Sequence, residues 1–180
     1  MDSILNEIYN RRSIRSFENK KLSSEQLKLI MEAALRAPSA RDTHSTQFVV
    51  VEDKEVLAKL GCMREDGSKF LSQVPLAIAV LGSPLETERW IEDASLSAGW
   101  MQLQAENLGL SSCWSQVYGL YTGAGQDCGE YVRMVLDIPY QLEVLCILGI
   151  GYGKQYDREI RKDEDLNWEK IHIGKFRHDG

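Results

Sequence analysis

Apolar residues recur along this chain with two alternating periods, and the switches between them lay out its elements. Ile4, Leu5, Ile8 and Tyr9 stand at helical spacing and predict a short amphipathic helix over residues 2–10, which runs into a basic stretch from Arg11 to Arg15. After a turn, Ser23 and Gln26 carry the signature of a capping box. Leu27, Ile30, Met31, Ala34 and Leu35 then mark one face of a second helix that Pro38 brings to an end. The β-branched and aromatic run 48–51 predicts a buried strand, residues 52–60 a helix, and 74–81 a second buried strand. From Glu86 to Leu108, Ile91, Ala94, Ala98, Met101, Ala105 and Leu108 hold a helical period over many turns, with Gly109 placed to cap the end. Residues 112–117 predict a third strand, 129–136 a helix stopped before Pro139, and 142–150 the fourth and most hydrophobic strand.

Strands alternating with helices, without the hairpin signals of an all-β fold, indicate an α/β or α+β layered domain. At 180 residues one domain is expected, large enough to bury a core without disulfides or structural metal. From Gly153 onward the pattern stops. A highly charged stretch leads to Trp168, Ile171, Ile173 and Phe176, an apolar set too small to form its own core. An arm of this kind, about 153–180, must pack on something else, and a partner subunit is a natural candidate.

Composition narrows the function. With 43% hydrophobic and 27% charged residues the chain is that of an ordinary globular protein. Its net charge of -6 argues against a nucleic-acid or anionic-membrane binder, so any phosphate ligand must meet a local basic cluster. The most apolar runs are too short to span a bilayer and the first residues lack a signal-peptide pattern, which leads to the expectation of a cytoplasmic protein. Cys62, Cys113, Cys128 and Cys146 are widely spaced, a pattern of reduced thiols and not of a zinc site or disulfide framework.

Three places carry candidate chemistry. Arg11, Arg12, Ser13 and Arg15 put three guanidinium groups and a hydroxyl where a helix gives way to a loop. They can converge on one phosphate, or they can form a solvated face that complements the helix C-terminal dipole. Ala37, Pro38, Ser39 and Ala40 form a small-residue turn that either admits a flat ligand to the backbone or is simply a helix exit. Gly149, Gly151 and Gly153 do not fit a dinucleotide or Walker loop, since Lys154 stands where the third glycine belongs. They read instead as backbone that passes close to another object. None of the histidines His44, His172 and His178 has a Ser or Cys at nucleophile-motif spacing, although Asp42 with His44 leaves an acid/base pair open.

In order and spacing, RRSIRSF at 11–17, LRAPSARDTHSTQFVVV at 35–51, EDASLSAGWMQLQAENLGLSSCW at 92–114, EVLCILGIGYG at 143–153 and EKIHIGKF at 169–176 resemble the FMN-dependent nitroreductase family, in particular its shorter bacterial members. The resemblance implies an α+β sandwich with a central mixed β-sheet flanked by helices, and an intertwined homodimer in which the C-terminal arm crosses to the other subunit. It implies two FMN sites at that interface. Arg11, Arg12, Ser13 and Arg15 would hold the phosphate and pyrimidine edge. Pro38, Ser39 and Ala40 would come from the opposite subunit, with Asp42 and His44 on the same wall. Gly149, Ile150 and Gly151 would pass beside the ring. Lys170 and His172 would close over the phosphate, with Arg158 and Arg161 as competitors.

The implied reaction needs no catalytic side chain and no metal: NAD(P)H delivers hydride to FMN, and a nitroaromatic, quinone or other small electron-poor oxidant then takes two electrons from it. This chain departs from the family where many members have Asn, Gln and then Pro-Trp; here stand Asp42, His44 and Ser45-Thr46. A carboxylate there opposes added negative charge on the flavin. The departure keeps two alternatives open: a flavin-binding or sequestering module with little turnover, and a hydrolytic or acid/base enzyme built on Asp42 and His44.

Overall fold

The computed structural model describes residues 4–154 and 166–176. Helix α1 spans Ile4–Asn10, α2 Ser24–Leu35, α3 Lys54–Gly61, α4 Trp90–Asn107 and α5 Cys128–Leu136. Strands β1 (Gln47–Val51), β2 (Leu76–Gly82), β3 (Ser111–Gln116) and β4 (Glu143–Gly151) form one sheet in the order β1-β2-β4-β3. Each predicted element is present, with ends shifted by a few residues.

The strands are antiparallel to their neighbours throughout. Parallel pairing among the described residues is confined to one bridge, Ser13 with Ser112, so the mixed character expected of the sheet rests on the basic segment lying along its edge.

Strand periodicity sorts the core into two layers. In β2, Leu76, Ile78 and Val80 point to one face, where they meet Ile30 and Ala34 of α2 and Ala94, Ala98 and Met101 of α4. Ala77, Ala79 and Leu81 point to the other, against Leu57 and Leu60 of α3 and Val132 of α5. The register slips between Val80 and Leu81, whose partners are Cys146 and Val144. Leu145 is therefore the extra residue of a bulge and shares a face with Cys146.

Local signals fix the helix ends. The Ser23 hydroxyl accepts from Gln26 N–H at 3.1 Å while the Gln26 side chain accepts from Ser23 N–H at 3.0 Å, completing the capping box. Gly109, at φ +70, follows α4 in the left-handed conformation that a side chain would resist.

Two expectations need correcting. The buried face of α4 runs through Trp90, Asp93, Ala94, Ser97, Ala98, Met101, Gln102 and Ala105, so Ile91 lies outside it and three polar residues lie on it. The segment expected to leave the body at Gly153 is still held there: Gly153 bridges Phe17, Glu18 N–H donates to the Tyr152 carbonyl at 2.8 Å, and Lys154 N–H to the Ser16 carbonyl at 3.1 Å.

Among the described residues apolar side chains are exposed in several places, α1, α4 and residues 168–176 among them. Helix α1 buries none of its residues, leaving Ile4, Leu5 and Ile8 exposed. Leu96 and Trp100 of α4 are exposed beside it, over a groove of about 450 Å³ that Ile4, Ala33, Trp100 and Leu103 line. Trp168, Ile171, Ile173 and Phe176 are exposed as well. Among the described residues no helix is long and apolar enough to cross a membrane.

Candidate functional site

The basic segment is fastened to the sheet before its side chains are considered. Ile14 N–H donates to the Ser112 carbonyl at 3.1 Å, next to the Ser13–Ser112 bridge, and the chain then runs past the end of β4. Ser112 is held in turn from α4, whose buried Gln102 donates Nε2–H to its Oγ at 3.2 Å. With the backbone fixed, Arg15, Ser13 and Arg11 come within electrostatic reach of one buried group, the Cys113 thiol. Burial pushes that thiol up; the Arg15 guanidinium, a hydrogen bond from Ser13 and the Arg11 guanidinium, in that order, pull it back down.

Arg12 does not join this group. Its guanidinium turns back onto the Tyr9 and Arg11 carbonyls at 2.7 and 2.8 Å, the exposed end of α1. In this structure Arg12 thus serves the helix C-terminus, one of the two roles open to the cluster.

The small-residue turn is a strained structure. Within Ser39–His44, Arg41, Asp42 and His44 have φ of 52, 58 and 47, a conformation that costs side-chain-bearing residues on the order of 1–3 kcal/mol each. Its hydrogen bonds show what holds it. Ala40 N–H donates to Oδ1 of Asp93 at 2.8 Å, and His44 N–H donates to the Ser39 hydroxyl at 3.0 Å. The Ser39 oxygen expected to face a ligand therefore already accepts a bond within the turn. His44 Nε2 and Asp42 Oδ1 lie 2.7 Å apart on the surface; with the carboxylate ionised, the imidazole is the donor.

Gly149, Ile150 and Gly151 are enclosed by the chain itself, and the close approach inferred from these glycines is intramolecular. A Cβ on Gly149 would come within 2.7 Å of Phe70 and 2.8 Å of Val74; one on Gly151 would meet Pro75 at 2.6 Å. Lys170 is exposed, and the His172 ring packs on Phe176 with centroids 4.1 Å apart. Among the described residues no hydrogen bond or ion pair joins either to Arg11, Ser13 or Arg15. Arg158, Arg161 and His178 lie outside the described residues.

Among the described residues the candidates do not come together in a single pocket. The basic cluster is tied to α4 through Ser112 at Gln102, whereas the strained turn is tied to it at Asp93. Nine residues of helix separate these ties by about 13 Å along its axis. Sequence reading missed both ties. The signal for them was a polar residue recurring on the apolar face of α4, at Asp93, Ser97 and Gln102.

Comparison with known proteins places this geometry among relatives. The model of the Nitroreductase family matches residues 8–63, which include both the basic cluster and the strained turn. A protein of Archaeoglobus fulgidus, provisionally named NADH dehydrogenase/NAD(P)H nitroreductase, is 31% identical over 98% of this chain and 100% of its own length. Among solved structures, an FMN-dependent nitroreductase from Clostridium difficile superposes with a TM-score of 0.91 at 38% identity, covering 96% of this chain and 99% of that one. A Bacteroides thetaiotaomicron protein, again provisionally named NADH dehydrogenase/NAD(P)H nitroreductase, gives a TM-score of 0.88 at 28% identity, over 98% and 99% of the two chains.

Proposed function

The chain belongs to the nitroreductase family of oxidoreductases, and from that membership we propose that it binds FMN and passes hydride from NAD(P)H to a small electron-poor acceptor, a nitroaromatic, a quinone or a related oxidant, as a homodimer. The observation that carries the reading is the fastening of the Arg11–Arg15 segment to the sheet edge, by the Ser13–Ser112 bridge and the Ile14 bond to the Ser112 carbonyl, which holds Arg11, Ser13 and Arg15 beside one another. Among the described residues no carboxylate forms an ion pair with Arg11 or Arg15. Two such cations and a hydroxyl, fixed by the sheet edge, fit the near-dianionic phosphate of a flavin mononucleotide.

When bound, FMN supplies the two-electron chemistry, accepting hydride from the nicotinamide and yielding it to the acceptor. The residues of this chain bind and orient. Arg11 and Arg15 neutralise the phosphate and Ser13 donates to it. Lys170 and His172 are assigned to the same end through the C-terminal arm, and Gly149–Gly151, at the end of the inner strand β4, to the backbone beside the ring. Pro38, Ser39, Ala40, Asp42 and His44 are assigned to the opposite wall. Their separation from the cluster along α4 favours a site that takes one wall from each subunit. The exposed apolar sets of α1, α4 and residues 168–176 favour the same assembly, because grouped apolar side chains at a surface mark interaction sites.

Asp42 is less adverse in this arrangement than in isolation. Its carboxylate accepts from the His44 imidazole, and this hydrogen bond takes up part of the negative charge it would otherwise present. The exposed Asp42–His44 pair also supports the second reading, a flavin-binding module with slow turnover. The visible spectrum of freshly purified protein tests the first element of the proposal: absorbance of bound oxidised flavin is expected, and colourless protein that takes up no added FMN would overturn it. Anaerobic mixing with NADH and with NADPH then separates enzyme from module, since a module leaves the flavin oxidised.

A further inference from the structure

Asp93 is a carboxylate on the first turn of α4 with 3% of its surface exposed. Its Oδ1 accepts one hydrogen bond, from Ala40 N–H at 2.8 Å, and its Oδ2 accepts none. The hydroxyl of Ser45, on the far side of the turn that Ala40 begins, is also buried without a partner. A buried carboxyl group with a single partner is costly to keep, and its one hydrogen bond shows what it holds. What Asp93 holds is the origin of the strained turn.

The turn has two anchors. Asp93 fixes Ala40 from a rigid helix, and the Ser39 hydroxyl fixes His44 N–H at 3.0 Å. Between them the chain must reverse within a few residues, and it does so by placing Arg41, Asp42 and His44 in the left-handed region. That reversal brings side chains two residues apart into contact, His44 Nε2 with Asp42 Oδ1 at 2.7 Å. With Ala40 released, the bonds from Asp42 N–H to Ser39, Thr43 N–H to Ala40 and His44 N–H to Ser39 all lie within the turn and do not tie it to the helix. The three residues then relax to ordinary φ.

We infer that Asp93 is a positioning residue for the Asp42–His44 pair: its buried carboxylate, by accepting the Ala40 N–H, locks the turn that presents this pair. The lock is a property of the folded chain alone. Its consequence for turnover rests on the proposed function, in which the turn forms a wall of the flavin site.

The test uses Asp93→Ala, Asp93→Asn and Ala40→Pro in the protein as purified. Asparagine keeps an acceptor oxygen for Ala40. Proline removes the donor without touching Asp93, at the first position of a 3-10 turn where its φ is tolerated. Ser39, which precedes it, is extended at φ -135 and ψ 155, as a residue before proline must be. The first readout is the imidazole nitrogen NMR signal of His44, identified by its loss in His44→Gln. Asp93→Ala and Ala40→Pro are expected to move it to the position of an unpaired, solvated imidazole, and Asp93→Asn to leave it in place. The second readout is steady-state turnover, expected to fall about tenfold or more in the first two variants and to stay within about twofold in Asp93→Asn.

An unmoved His44 signal in Ala40→Pro overturns the proposal, as does Asp93→Asn behaving like Asp93→Ala. Should Asp93→Ala not fold, the proline variant decides alone. A moved signal with unchanged turnover upholds the lock and overturns the placement of the turn at the flavin.

Discussion

Ile14 N–H donates to the Ser112 carbonyl at 3.1 Å, and this bond sets where the basic residues on either side of Ile14 can reach. Arg15 and Arg11 act on the same buried thiol while Arg12 caps α1. The double variant Arg11→Ala with Arg15→Ala is expected to lose FMN on gel filtration and to melt close to the FMN-free parent protein, because neither side chain forms an ion pair among the described residues. Arg12→Ala should retain FMN better and cost about 0.3–1 kcal/mol through the helix terminus. Undiminished FMN affinity in the double variant would move the phosphate site elsewhere.

The glycines at the end of β4 distinguish a packing role from a ligand-facing one. Gly149→Ala and Gly151→Ala each force a methyl into Phe70 or Pro75 and should destabilise the fold by about 1–3 kcal/mol in chemical denaturation. Flavin affinity of the folded fraction is expected to hold. Weakened binding at unchanged stability would mean that these glycines open the backbone to the ring.

Buried thiols make stability depend on alkaline pH. Burial raises Cys146 well above the ordinary 9.0, and raises Cys113 and Cys128 and the Tyr131 phenol in the same direction. Above pH 9 the unfolded chain releases thiol protons that the folded chain still holds, so the folded state binds more protons and stability falls as pH rises. Melting temperature should be flat across neutral pH and decline above about 9. Cys146→Ala should reduce the slope; an unchanged slope would place its origin elsewhere.

Truncation separates the body of the fold from its C-terminal arm. A chain ended at Lys154 keeps the bonds of Tyr152 and Lys154 to the basic segment and is expected to fold but not to form a stable dimer in sedimentation. A chain ended at Tyr152 loses the Gly153–Phe17 bridge and the Lys154 bond to Ser16, and should melt lower. A well-behaved dimer without residues 155–180 would remove the arm from the interface.

Much of the fold was legible in the order of residues, because periodicity and caps are local. The Ser23–Gln26 box, the apolar run of β2 and the glycine after α4 each act within a few residues, and each is present in the folded chain. The cluster of Arg11, Arg12, Ser13 and Arg15 was legible too, and the family resemblance added its role at FMN. Neither route distinguished Arg12 from its neighbours, since which guanidinium turns to α1 depends on how the segment is pinned to Ser112, nearly a hundred residues away in the chain.

By itself, then, the sequence determined the elements, their layering and the identity of the basic cluster, all consequences of patterns shorter than one helix. The tertiary structure decided what those patterns cannot contain. Asp93 and Gln102 read as blemishes on an apolar helix face until the fold brings Ala40 and Ser112 against them. A buried polar group must find a partner, and partners for such groups come from whichever segment packing delivers.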